Sequence, residues 1–329
     1  MTAPAILLSR ADVAALLTPA DHLAAVEAAF AASREGRAPS PPPLHLAVTG
    51  GGFHAKGAAL LGALGVAAVK LNGNFPGNPA RGLPTIQGVI LLCDAANGAV
   101  LAAMDSIEIT LRRTAAATAL AARHLARSDS AVLAVCGCGA QARPQVEALA
   151  PLFPLARAYA WDRDPARAGQ FATEMTTALG ISCAAVGDLA EATAAADIIV
   201  TCTTARSPFL GIDDVARGAF VAAVGADNPE KSEIAPGLMA RARVVCDSLD
   251  QCLAMGDLRH AVAAGAMTAS DVHGELADLV TGARPGRSAP DQVFVFDSTG
   301  TAIQDVASAA LAWERARARG IGTPFAFGW

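Results

Sequence analysis

The segment from Ala131 to Ala150 constrains this chain more than any other. Ala131 to Val135 is a short apolar run suited to a strand buried on both faces. Gly137 and Gly139 then interrupt it before an alanine-rich helical stretch, and Ala142 completes a G-x-G-x-x-A pattern. In such a turn Gly137 permits the tight bend and Gly139 lets the backbone approach a pyrophosphate. Ala142 allows close helix packing, and free N–H groups at the helix start attract the phosphates. The pattern alone also fits other strand-to-helix turns. A second apolar run, Ala158 to Trp161, ends in Asp162, twenty positions beyond Ala142. That is where an acid reaching an adenosine ribose is expected. Asp162 also fits a cap or turn ahead of the Pro165 helix.

With 329 residues, 53% of them hydrophobic and 17% charged, the chain can build two cores. We expect residues 1–115 with 303–329 to form a substrate and dimerisation domain, and 116–302 to form a dinucleotide domain. A net charge of −5 without a basic block argues against a nucleic-acid partner. No apolar run approaches membrane-spanning length, and the first residues lack a signal-peptide pattern, so a cytoplasmic protein is expected. Seven cysteines (93, 136, 138, 183, 202, 246 and 252) lie in or beside apolar runs, as buried free thiols do. Cys136 and Cys138 sit within the glycine turn, and no metal site is expected there.

Along the chain, Ala11 to Gly36 reads as two helices separated at Pro19, and Pro39 to Pro43 as an extended connector. Short strands follow near 44–48, 53–58, 65–71, 87–93 and 100–103, divided by Gly, Asn and Pro turns, which predicts a mainly antiparallel sheet. Residues 105–127 read as a long helix. Beyond it, strands at 158–161, 182–186, 198–201, 219–224, 244–246 and 292–297 alternate with helices. The fold class is therefore α/β, a Rossmann-type doubly wound parallel sheet inserted into an α+β domain. The helix at 303–319 is expected to return to the first domain, the two domains enclosing a cleft.

Five motifs in order, Lys70–Asn78, Gly82–Gly88, Leu111–Ala116, Gly225–Glu233 and Phe296–Gly300, resemble the ornithine cyclodeaminase/mu-crystallin family. The family includes ornithine and lysine cyclodeaminases, an alanine dehydrogenase type, cyclic-ketimine reductases and crystallin-like binding proteins. The resemblance implies a homodimer formed through the non-Rossmann domain, with NAD(P) in the middle domain. It selects Lys70 and Arg113 to hold a substrate carboxylate. The residues agree: a lysine ending an apolar strand is costly unless paired or used, and a guanidinium grips carboxylates bidentately. Arg112, one position round the helix, reads as a surface ion-pair residue.

Asp227 follows an apolar strand at its carboxyl end, where parallel sheets place their chemistry, and the family pattern makes it the proton-transfer residue. Without that pattern it reads as a turn aspartate before Pro229. The resemblance also implies cofactor contacts from Thr85, Arg113, Ala140, Gln141, Thr203, Val224, Lys231 and Ser298, beside Gly137, Gly139 and Asp162, and a substrate contact from Thr299. Each threonine and serine equally fits a turn or cap hydroxyl.

Two departures from the family pattern bear on the substrate. The segment Pro41 to His45 carries no arginine where many relatives have one, so either His45 replaces it or that contact is missing. His54 and Lys56, two apart on one strand, share a face, or form a polar edge. This pattern is closer to the ketimine reductases, and no acidic group is evident for the distal amine of ornithine. The expected reaction is NAD(P)H-dependent reduction of Δ1-pyrroline-2-carboxylate or Δ1-piperideine-2-carboxylate. Ornithine cyclodeamination, amino-acid dehydrogenation and nucleotide binding without turnover are the alternatives. Asp162 repels a 2′-phosphate and favours NADH, whereas Arg163 beside it is suited to grip one.

Overall fold

The computed structural model describes residues 4–327, and these fall into two units, 4–113 with 301–327 and 114–300. Within the described residues the first unit begins with β1 (Ala5–Leu8), α1 (Arg10–Leu16) and α2 (Pro19–Arg34). Ser9 and Thr18 each close a capping box, with Asp12 and Asp21, and Pro19 opens α2 where its missing N–H costs nothing. The proline connector leads to β2 (Leu44–Val48), β3 (Gly51–Leu60), β4 (Val66–Asn74), β5 (Ile86–Asp94) and β6 (Val100–Asp105).

These strands belong to a seven-stranded sheet in the order β15-β1-β6-β5-β4-β3-β2, where β15 is Thr323–Phe325. Every pairing from β2 to β6 is antiparallel, and β1 joins β6 in parallel. One face carries Ala68, Ile90, Leu92 and Met104, all buried. α11 (Ala302–Arg319) packs over β3 to β6 on this unit and against α2. On the opposite face Leu44, Leu46, Val69, Leu71, Val89 and Leu91 are exposed. Register places Val69 beside Leu91 and Leu71 beside Val89, which makes the apolar side chains contiguous.

α3 (Ser106–Leu125) carries the chain from the first unit into the second. The second unit contains β7 (Val132–Cys136), α4 (Ala142–Leu149), β8 (Arg157–Trp161), α5 (Pro165–Leu179), β9 (Ser182–Ala185) and α6 (Leu189–Thr193). β10 (Ile198–Thr201), β11 (Phe220–Ala223), α7 (Pro236–Arg241), β12 (Arg243–Cys246), α8 (Leu249–Met255), α9 (Asp257–Ala263), β13 (Gly274–Glu275), α10 (Leu276–Val280) and β14 (Phe294–Asp297) complete it.

Its sheet runs β13-β12-β14-β11-β10-β7-β8-β9, with every pairing parallel. Strand order reverses at β7: β8 and β9 extend one way, β10 and β11 the other. The glycine turn leaves β7 at this switch point, where doubly wound sheets bind ligands. β7, β10, β11 and β14 are almost wholly buried, as strands covered on both faces must be. Among the described residues no single helix is long and apolar enough to cross a membrane.

Candidate active site

In the first unit the site is built around one carboxylate. Asp305, in the first turn of α11, is buried, with Lys70 Nζ 2.7 Å from its Oδ2 and Arg113 Nε donating to its Oδ1 at 2.9 Å. Arg113 also donates to Gln304 Oε1 at 3.1 Å, and Lys70 to Thr110 Oγ1 at 3.3 Å. Three elements meet here: β4 supplies Lys70, α3 supplies Arg113 and Thr110, and α11 supplies Gln304 and Asp305. Burial draws the Lys70 ammonium down to about 7, with Asp305 opposing the shift. Burial pushes the Asp305 carboxyl up, but Arg113 and Lys70 outweigh it and hold the group below its ordinary value.

Lys56 lies directly opposite Lys70 across the β3–β4 pairing, so both side chains share the face covered by α11. Its charge further lowers Lys70. His54, two residues before it, meets His45 of β2, with Nδ1 atoms 3.3 Å apart. Three cations around one carboxylate leave excess positive charge suited to an anionic ligand. Arg112 turns away to pair with Glu108 at 3.0 Å, one turn earlier on α3. Thr85 is half-buried just before β5, where its carbonyl accepts the Phe75 N–H.

The second unit presents the glycine turn. Gly137 has φ +96°, and a Cβ there would lie 2.7 Å from Thr203 Cγ2 and 3.0 Å from the Cys202 carbonyl oxygen. Gly139 has no atom within 4 Å of a virtual Cβ, so the turn is open there. Ala142 is fully buried. A cavity of about 360 Å³ beside the turn is lined by Cys138, Gly139, Ala140, Arg167, Gln170 and Phe171, among others. Gln141 follows with a buried Oε1 that has no protein hydrogen-bond partner. These features suit a dinucleotide pyrophosphate.

Asp162 accepts the Cys138 N–H at 2.8 Å and the Asp164 N–H at 2.9 Å. Asp164, not Asp162, caps α5, by accepting the Ala166 N–H. Arg163 is exposed, while Arg167 lines the cavity by the turn and was not anticipated from sequence. Its place one turn into α5 was the available signal.

At the carboxyl ends of β10 and β11 the remaining residues gather. Val224 follows β11, its N–H bonded to the Thr201 carbonyl. Asp227 is half-exposed, with its Oδ1 2.7 Å from Lys231 Nζ. The Thr203 hydroxyl accepts the Ala205 N–H. Ser298 and Thr299 follow β14, buried, and both donate to Asp247 at 3.3 and 3.1 Å. Below them Glu233 is fully buried, accepting from Thr201 Oγ1 at 2.7 Å, Thr203 N at 2.6 Å and Gly225 N at 2.8 Å.

Glu233, Asp247 and Asp305 were missed as functional candidates. Glu233 ended a quoted motif, and Asp305 interrupts an otherwise apolar helical run with Gln304 and Ser308. Those were the only signals. His273 bonds the Pro285 carbonyl, and no cluster of His, Cys, Asp or Glu among the described residues could hold a metal ion.

The model of the ornithine cyclodeaminase/mu-crystallin family matches residues 4–320. The chain belongs to this family. An archaeal alanine dehydrogenase, solved as a dimer with bound NAD, superposes with a TM-score of 0.94 at 34% identity, covering 98% of this chain and 99% of that one. A Δ1-pyrroline-2-carboxylate reductase of Thermococcus litoralis, in complex with NADH and L-proline, gives 0.93 at 33% identity over 97% and 99%. The iminosuccinate reductase of Paracoccus denitrificans with NAD+ gives 0.90 at 33% identity over 98% and 99%. Members of the family thus share this architecture while acting on different imino and amino acids.

Proposed function

We propose that the protein is an NADH-dependent reductase of a cyclic imino acid, converting Δ1-pyrroline-2-carboxylate or Δ1-piperideine-2-carboxylate to proline or pipecolate. The observation that carries this reading is the buried trio of Lys70, Arg113 and Asp305. With Lys70 protonated, two cations sharing one carboxylate leave one unit of charge for a substrate carboxylate, in a setting where an unmatched charge is costly. Lys56 adds positive charge, which disfavours the second amino group of ornithine. The solved relative holding NADH and L-proline supports the product class, and the three NAD-holding or NADH-holding relatives support the cofactor.

When bound, the dinucleotide supplies hydride to the imine carbon. Gly137, Gly139, Ala140 and Gln141 receive its pyrophosphate, and Asp162 its adenosine ribose, from which a 2′-phosphate would be repelled. Thr85, Arg113, Thr203, Val224, Lys231 and Ser298 are assigned to the rest of the cofactor. Lys70 and Arg113 orient the substrate through its carboxylate, converting binding energy into alignment of the C=N bond. Asp227 carries the proton of the imine nitrogen, and Lys231, 2.7 Å away, holds its carboxylate in place. Thr299 contacts the substrate, and His45 and His54 line its outer side. The exposed apolar face of the first unit's sheet is assigned to a second copy of the chain, as in the archaeal relative described as a dimer.

The test is a substrate panel with purified protein. Cyclic imine with NADH should give proline or pipecolate. Ornithine with NAD+, pyruvate with ammonia and NADH, and iminosuccinate should be turned over far more slowly. Cyclodeamination of ornithine without imine reduction would reject the proposal.

A further inference from the structure

The mechanism above leaves Glu233 without a task, yet its carboxylate is among the most completely engaged groups in the second unit. It lies between the carboxyl ends of two adjacent central strands. On one side it accepts the Thr201 hydroxyl and the Thr203 N–H, both at the end of β10. On the other it accepts the Gly225 N–H, just beyond β11. The fit is tight: a Cβ on Gly225 would sit 2.4 Å from the Glu233 carboxylate. Only glycine lets this acid reach the backbone there.

The loop that Glu233 closes is the one bearing Asp227. From Gly225 to Glu233 it is held at both ends by the same carboxylate and crossed by the Asp227–Lys231 pair. It is anchored further by Asp257, whose Oδ1 accepts from Ser232 Oγ and from the backbone N–H of Glu233 and Ile234. Ser232 N–H bonds the Ala205 carbonyl, tying the loop to the Thr203 segment a second time.

We infer that Glu233 is a positioning residue, a carboxylate clamp that fixes the Asp227 loop against the Thr203 segment and so sets the geometry of proton transfer. The inference rests on the reading of Asp227 as the proton carrier. The three donors are best matched by an ionised acid, because protonation or an amide places a donor hydrogen on one of the two positions that otherwise only accept. Burial, reinforced by the charge of Asp257, pushes the Glu233 carboxyl up to about 7, against the hydrogen bonds from Thr201 and Thr203 that pull it down. The thiols of Cys136 and Cys202 also face it, and Asp297 lies beyond Asp257, accepting the Asp257 and Leu258 N–H groups. The clamp therefore closes as pH rises through neutrality.

The experiment uses the full chain as wild type, Glu233→Gln and Thr201→Val. It reads imine reduction against pH and, separately, amide hydrogen exchange at Thr203 and Gly225, corrected for intrinsic rates. Glu233→Gln should lower kcat about 10- to 100-fold, the value of one lost hydrogen bond to a charged group, with the imine KM within about 3-fold. It should also remove the acid limb of the kcat profile near neutral pH and speed exchange at both amides. Thr201→Val removes one donor from outside the catalytic machinery, so its acid limb should move to higher pH.

Wild-type kcat, acid limb and amide protection in Glu233→Gln would overturn the clamp. If Glu233→Gln does not fold, an unmoved limb and unchanged protection in Thr201→Val overturn it equally. If the wild type reduces no imine yet Glu233→Gln speeds exchange at Thr203 and Gly225, the clamp stands and the reductase reading falls.

Discussion

The two glycines of the turn make opposite demands, and substituting each by alanine separates folding from cofactor binding. At Gly137 the backbone has φ +96°, and an added Cβ would press on Thr203 Cγ2 at 2.7 Å and on the Cys202 carbonyl. The backbone strain costs roughly 1–3 kcal/mol and the overpacking another 1–3. Gly137→Ala should therefore lose about 2–6 kcal/mol of stability by these two effects. At Gly139 nothing lies within 4 Å and φ is not in the left-handed region, so Gly139→Ala should leave stability within about 0.5 kcal/mol of the parent. In the proposed binding mode, however, its methyl group projects where the pyrophosphate approaches. Losing one charge-assisted hydrogen bond costs about 1.5–3 kcal/mol, which is roughly a 10- to 150-fold weaker Kd for NADH. Thermal unfolding without ligand and fluorescence titration with NADH measure the two quantities independently. A Gly139→Ala protein that binds NADH as tightly as the parent would refute the turn as the seat of the pyrophosphate, whatever Gly137→Ala does.

Three further outcomes are expected. Asp305→Asn strips the counterion from Lys70 and Arg113, and breaking such a buried group costs about 3–5 kcal/mol. Urea unfolding should show that loss, and a change below about 1 kcal/mol would show the cations to be independent of Asp305. Because burial has drawn Lys70 to about 7, its positive charge is complete only below that pH. The imine KM should then rise as pH increases through and above neutrality, and Lys70→Arg, which stays charged, should flatten the rise. Finally, Val69→Lys with Leu91→Lys places charges at the centre of the exposed sheet face. Light scattering should find a dimer for the parent and a monomer for the double variant, and a dimer in both would move the interface elsewhere.

The elements legible in the sequence were those with a strong local pattern. Short apolar runs divided by turn residues located β2 to β6, and helical spacing broken at Pro19 marked α1 and α2. The apolar runs of the second unit located its parallel strands. β1, β13 and β15 were not anticipated, since two to four residues carry no period and each is defined by its neighbour: β1 by β6, β13 by β12 and β15 by β1. α7 to α10, five to seven residues each, are too short for helical periodicity to show.

The site was legible where a residue type is costly without a purpose, as with Lys70 ending an apolar strand. It was not legible where the purpose is to hold another residue. Asp305 and Glu233 act through partners 235 and 8 residues away in sequence, Lys70 and Gly225, and no local pattern encodes that distance. Asp162 shows a third case. Both sequence readings placed an acid at the end of β8, but only the fold shows Asp164 capping α5, with Asp162 turned to the Cys138 amide.

The central claim is that hydride passes to the carbon of a C=N bond held by its carboxylate. Isotope transfer tests it most directly. Purified protein would be given NADH carrying deuterium at nicotinamide C4, on each face in turn, with Δ1-pyrroline-2-carboxylate, and the product analysed by mass spectrometry and NMR. The account predicts proline with a single deuterium at Cα from one of the two labelled forms and none from the other. Proline without deuterium from either form, or oxidation of NADH with no proline formed, would contradict it.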